Sequence, residues 1–135
     1  MAGWILPTLG YTLLLGAAGV TSKLALRTIS WEQLVLWVPV AYIGFSIVFV
    51  AGRGARFPLG VGGGWAAATA FCAAASLILL FVALTRGDAS KVVPAGSAYP
   101  VVTVVGSALF LSESITLLRV AGTTLVVAGV VLLSR

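Results

Sequence analysis

The side chains able to carry acid–base chemistry are few, and no Asp or Glu lies near the middle of an apolar stretch. The chain has no histidine, a single cysteine at Cys72, and three carboxylates, Glu32, Asp88 and Glu113. A carboxylate deep in a membrane span is a common device for exchanging protons against a cationic substrate, because burial raises its pKa. This pattern disfavours proton-coupled export through a central acid. It also predicts no enzyme active site, metal site or cofactor.

Two basic side chains, Lys23 and Arg27, are four residues apart near the end of the first apolar run, and therefore share one face of a helix. One interpretation is that both snorkel towards lipid head groups. The alternative is that Lys23, the deeper of the two, faces a water-filled cavity and attracts an anionic group. A lysine that only snorkels would tolerate substitution by arginine or glutamine without loss of transport.

Two prolines and several hydroxyls fall within the apolar run 92–111. An interrupted helix is tolerated at membrane depth where its freed carbonyls meet protein or water. We therefore expect Pro94 and Pro100 to break this helix and to gate a cavity, with a packed kink as the alternative. Polar side chains at span depth, together with the basic candidate described above, form the predicted cavity set: Tyr11, Lys23, Trp37, Tyr42, Ser76, Ser97, Tyr99 and Thr103.

The elements that must position these residues follow from the composition. Of 135 residues, 61% are hydrophobic and 8% are charged, which excludes both a soluble globule and a disordered chain. Crossing a bilayer takes about 20 apolar residues of helix. Five such runs, separated by charges and turn signals, predict an all-α membrane protein with five transmembrane helices: 5–26, 34–51, 65–84, 92–111 and 115–133. Pro58 and the glycines of 60–64 predict a loop between the second and third helices.

Small residues in these runs predict close helix packing. Gly122 and Gly129, seven residues apart in the fifth run, are the candidates for helix packing or for a dimer contact.

The net charge of +5 is best interpreted as membrane topology rather than nucleic-acid binding, because the basic residues stand between apolar runs. Five crossings put three basic residues on the N-terminal face and five on the other, a difference of only two. So small a bias weakly favours a cytoplasmic C terminus and is also compatible with insertion in both orientations. The three are Arg53, Arg56 and Arg119, and the five are Lys23, Arg27, Arg86, Lys91 and Arg135.

The carboxyl half resembles an EamA-type domain of the drug/metabolite transporter superfamily. The resemblance rests on GDASKVVP at 87–94, YPVVT at 99–103, LFLSE at 109–113 and AGVVLL at 128–133. The first run is similar as well, with Gly16 followed by SKLAL at 22–26. At the end of the fourth run the family's usual Gly-Glu pair is Ser112-Glu113, so the glutamate carries over and the glycine does not.

This resemblance implies a single five-helix EamA-like domain over residues 1–135, half of a ten-helix inverted-repeat transporter fold. Larger relatives carry two such domains in opposite orientations with the substrate cavity between them. The single domain therefore implies a partner related by a two-fold axis in the membrane plane, either an antiparallel homodimer or a paralogue.

The leading hypothesis is a secondary transporter or facilitator of small organic metabolites, amino acids or drugs, in the cytoplasmic membrane of a bacterium or archaeon. It would work by alternating access. Two alternatives remain open: a non-transporting membrane subunit of a larger complex, and half of a flippase for lipid-linked sugars. The substrate, the direction of transport and any coupling ion do not follow from the sequence.

Overall fold

A computed structural model describes residues 5–54 and 60–133, which contain six α-helices and no strand. Arg56, Pro58 and Arg135, which entered the loop and charge predictions, lie outside these residues. The helices are α1 (Ile5–Ala25), α2 (Trp31–Val50), α3 (Val61–Arg86), α4 (Ala89–Gly96), α5 (Pro100–Phe110) and α6 (Leu117–Leu133), with a short 3-10 turn over Ala51–Arg53.

Four stretches are long and apolar enough to cross a membrane: α1, α2, α3, and the 22 residues Ala89–Phe110 that hold α4 and α5. The helix α6 is mostly apolar and has 17 residues, close to the shortest length that spans a bilayer. The described residues therefore confirm the all-helical, membrane-embedded class. They give four long spans and a shorter fifth apolar helix.

The start of α2 is fixed by a capping box. The hydroxyl oxygen of Ser30 accepts the backbone N–H of Gln33 at 3.3 Å, and the side-chain oxygen of Gln33 accepts the N–H of Ser30 at 2.9 Å. These two bonds satisfy donors that the first turn of a helix leaves unpaired. Because of them α2 begins at Trp31, three residues before the apolar run itself.

The loop predicted over Gly60–Gly64 is wrong for residues 61–64, because α3 already begins at Val61. Gly60 alone keeps a left-handed backbone, with φ of 86°, and its carbonyl accepts the N–H of Gly64 at 3.0 Å. Glycine lowers helix stability by about 1 kcal/mol per residue relative to alanine. In apolar surroundings, an unpaired backbone N–H or carbonyl costs more free energy than this loss of helix stability. The glycines therefore adopt the helical conformation.

The chain forms two compact units, one made of Met1–Gly19 with Gly87–Arg135, the other of Val20–Arg86. In the first unit α6 packs against α4 and α5, and in the second α2 packs against α3. Among the large apolar side chains that are described, burial is confined to Phe81 and Leu84, both near the end of α3. The remaining apolar surface is available to lipid or to a partner chain.

A left-handed backbone occurs at Ser112, with φ of 54°, directly after Leu111, the residue that caps the C-terminal end of α5. Ser112 is the position at which the resembling family carries glycine. A residue with a side chain is strained there by about 1 kcal/mol or more, whereas glycine is not. The departure from the family motif thus lies at a position whose backbone favours glycine.

Candidate functional site

In the first unit, the span Ala89–Phe110 is interrupted near its middle. The helix α4 has 8 residues and ends at Gly96, the segment 97–99 forms a turn, and α5 has 11 residues beginning at Pro100. Pro94 lies inside α4, while Pro100 occupies the first turn of α5, where its missing N–H is tolerated. The break therefore lies between the two prolines, near the middle of the span.

Hydrogen bonds at this break have shortened from the α-helical to the 3-10 pattern. Tyr99 donates its N–H to the carbonyl of Gly96 at 3.3 Å, and Val101 donates to Ala98 at 3.1 Å. In a regular helix the N–H of residue 100 would bond Gly96 and that of Val101 would bond Ser97. The carbonyl of Ser97 is thus left without its helical donor.

Two tyrosines meet beside this turn. The side chain of Tyr11, from α1, lies close to that of Tyr99. Each is about half exposed, at 50% and 51%. The structure therefore brings together Tyr11, Ser97 and Tyr99, three of the predicted cavity residues.

The candidate hydroxyls bond to their own helices. Ser97 donates to the carbonyl of Val93 at 3.4 Å, Thr103 to that of Tyr99 at 3.3 Å, and Ser76 to that of Ala73 at 2.9 Å. A hydroxyl has one proton and two lone pairs. Each of these side chains has therefore used its donor and retains acceptor capacity.

In the second unit, α2 and α3 enclose an apolar groove of about 460 Å³. Tyr42, a predicted cavity residue, is the lining residue with a polar side chain, whereas Trp37 and Ser76 lie on the same helices outside the lining. Small side chains of α3 make the space, since alanine leaves room that a larger residue would fill. The lining is Val35, Leu36, Val38, Pro39, Tyr42, Ala70, Ala73, Ala74, Leu77, Ile78 and Phe81.

Lys23 lies in the last turn of α1 and is partly buried. Its ammonium group donates to the backbone carbonyl of Leu84 at 2.6 Å. This carbonyl belongs to the last turn of α3, where carbonyls lack helical donors and a positive charge is favourable. The structure thus gives Lys23 a partner at the end of α3, and contact with a substrate stays a prediction.

The two candidate packing glycines face open space among the described residues. A Cβ atom placed at Gly122 or Gly129 would meet no atom within 4 Å. The close approach occurs instead at Gly19, where such an atom would lie 2.7 Å from a methyl carbon of Val93. The open strip on α6 is compatible with an intermolecular contact.

No cluster of three or more metal-ligating side chains occurs within residues 5–54 and 60–133. The three carboxylates lie in the first turn of α2, at the start of α4 and in the turn before α6. Glu113 forms an exposed ion pair with Arg119 at 3.7 Å, and Arg119 also donates to the carbonyl of Ser114 at 2.9 Å. These contacts hold the turn between α5 and α6.

Sequence reasoning missed the carbonyls of Ser97 and Leu84 and the alanine-lined groove. The sequence did contain a signal for the carbonyl of Ser97. A proline removes the N–H that would bond the carbonyl four residues earlier, and it also disturbs the following helical hydrogen bond. The alanines of α3 indicated close packing, and only the structure shows that some of them line a space.

Residues 2–135 match the sequence pattern of the EamA-like transporter family. The chain belongs to this family. It is similar to an uncharacterized protein of Methanocaldococcus jannaschii, with 47% identity over 57 residues. That match covers 42% of this chain and 42% of the archaeal one. No solved structure matches the chain. The family assignment confirms the resemblance and supports a transporter-like role in a membrane.

Proposed function

We propose that this EamA-like chain is a secondary transporter or facilitator of small organic molecules in the cytoplasmic membrane of a bacterium or archaeon. Residues 1–135 would form a single five-helix domain, half of an inverted-repeat transporter that works by alternating access. The observation that carries this proposal is the interrupted span Ala89–Phe110. A broken helix at membrane depth has unpaired backbone groups that a cavity or a ligand must satisfy.

Transport down a gradient, without proton coupling, fits the distribution of acids. All three carboxylates lie at helix ends, so none is placed in the middle of a span to exchange protons with a substrate. The break between Pro94 and Pro100 is the proposed gate, because few backbone bonds resist a change of angle there. Its polar groups would contact the substrate.

Liposomes containing the purified protein test this proposal. We expect them to take up small amphipathic solutes faster than protein-free liposomes, until the inside and outside concentrations are equal. Collapse of a proton gradient with a protonophore should leave the rate unchanged. Uptake that requires the gradient would contradict the uncoupled mechanism, and absence of uptake across a broad solute panel would contradict transport itself.

The functional unit would be a dimer, with an antiparallel homodimer as the favoured form. The open strip at Gly122 and Gly129 on α6 and the small charge bias between the two faces support this arrangement. A paralogous partner of opposite orientation is the alternative.

Labelling of each terminus from both sides of the membrane in cells tests the orientation. For an antiparallel homodimer we expect each terminus to react on both faces in comparable amounts. Labelling of a terminus on one face alone would contradict dual insertion and favour a partner of a different sequence.

A further inference from the structure

We propose that the break between α4 and α5 binds a primary ammonium group, and that the ligand is an amphipathic amine whose apolar body lies between α5 and α6. The inference rests on the proposed transport function and specifies the substrate class for the same site.

The unpaired carbonyl of Ser97 lies deep in a membrane span. Eight residues of α4 precede the turn and 11 residues of α5 follow it, so Ser97 lies near the middle of a membrane span. Its carbonyl lacks the helical bond because Val101 donates to Ala98. Lipid chains offer no hydrogen-bond donor at that depth, and an unpaired carbonyl there is costly. A donor from water or a ligand is therefore required.

The polar side chains near this carbonyl are all hydroxyls. The hydroxyls of Ser97 and Thr103 donate to backbone carbonyls of their own helices and keep lone pairs. The hydroxyls of Tyr11 and Tyr99 add lone pairs as well as two O–H donors. The break thus offers more acceptors than donors. An ammonium group has three donors and no acceptor, whereas a carboxylate has only acceptors.

Space for the rest of the ligand lies next to the break. Val101, whose N–H bonds the carbonyl of Ala98 in the break, lies at the start of α5. It is also part of the lining of a groove of about 360 Å³ between α5 and α6, which is otherwise formed by valines, Ile115 and two threonines. The threonines Thr123 and Thr124 donate to their own helix at 2.8 and 2.9 Å. Such a groove suits an aromatic or aliphatic body rather than a polar one.

Three ligands with the same apolar body test the proposal: 4-phenylbutylamine, 4-phenylbutanol and 4-phenylbutyrate. Binding to the protein in lipid nanodiscs is measured by calorimetry, at a pH where the amine is protonated and the acid ionised. We expect the amine to bind at least about tenfold more tightly than the carboxylate, since a hydrogen bond to a charged group contributes that much. The alcohol should fall between them.

Pro100→Ala tests the role of the backbone. The substitution restores an N–H for the carbonyl of Gly96 and allows Val101 to bond Ser97, so it strengthens the helix rather than unfolding it. We expect amine affinity to fall about tenfold, with little change for the alcohol. Pro7→Ala, in the first turn of α1, is the matched control and should keep the wild-type affinity.

Equal affinity for amine and carboxylate, or unchanged amine affinity in Pro100→Ala, would overturn the proposal. Displacement of the amine by millimolar sodium, with choline as the control cation, would show that the oxygens of the break bind an inorganic cation. That result would also overturn the proposal. These binding measurements do not require the protein to transport the ligand. A chain that binds the amine but moves no solute would contradict the proposed function, and one that transports carboxylates preferentially would contradict only this inference.

Discussion

Replacing Gly19 with alanine is expected to lower the free energy of unfolding by about 1–3 kcal/mol, the usual cost of overpacking a tight contact. The new Cβ would lie 2.7 Å from one methyl carbon of Val93 and 3.4 Å from the other. Since both methyl groups face the glycine and valine has few rotamers in a helix, the side chain has no easy way to move aside. Titration with a denaturing detergent measures the change.

Two further variants show whether the effect comes from this contact. Gly16→Ala lies on the same helix with no atom within 4 Å of the added carbon, so its stability should stay within about 0.5 kcal/mol of wild type. Combining Gly19→Ala with Val93→Ala should restore part of the loss, because the methyl groups that clash are gone. Strictly additive effects of the two substitutions would show that α1 and α4 do not touch at this point.

Removal of the ammonium group in Lys23→Met is expected to destabilise the protein by about 1.5–2 kcal/mol, the lower part of the range for hydrogen bonds to charged groups because the lysine is only partly buried. The carbonyl of Leu84 would lose its 2.6 Å donor at the end of α3. The same detergent titration measures this loss. Lys23→Arg should retain most of the stability, because a guanidinium group also donates to a carbonyl.

Arg27→Met is the matched control, because it removes one positive charge from an exposed position just beyond the same helix. Its effect should be near zero, as for most exposed charges. If Lys23→Met and Arg27→Met destabilise equally, the bond to Leu84 contributes nothing. Uptake per folded molecule then separates a structural lysine from one that binds substrate, since the structural role alone predicts an unchanged rate.

Much of the helical framework followed from the sequence. Apolar runs of about 20 residues have few alternatives in a bilayer, and Pro100 marks the start of α5 because proline cannot donate to the preceding turn. The helical state of Gly62–Gly64 did not follow, since glycine in water favours a loop and the apolar surroundings override that preference. Local propensity alone was a poor guide there.

Contacts between helices were beyond the sequence. Lys23 and Leu84 are 61 residues apart in the chain, and nothing in the periodicity of either helix indicates that one caps the other. The same holds for Gly19 and Val93, because a glycine that permits close approach looks identical to one that faces open space, as Gly122 does. Which of the predicted cavity residues lie close together also depends on contacts between helices. The sequence could therefore suggest candidate side chains, but not which of them are neighbours.

The unequal lengths of α3 and α6 connect this protein to the thickness of its membrane. With 26 residues α3 is about 39 Å long, while the 17 residues of α6 reach only about 26 Å, against a hydrocarbon core of about 30 Å. The longer helix is accommodated by tilting or by extending into the head groups, and the shorter one by drawing the two leaflets together. Short acyl chains therefore relieve the mismatch at α6, whereas long ones relieve it only at α3.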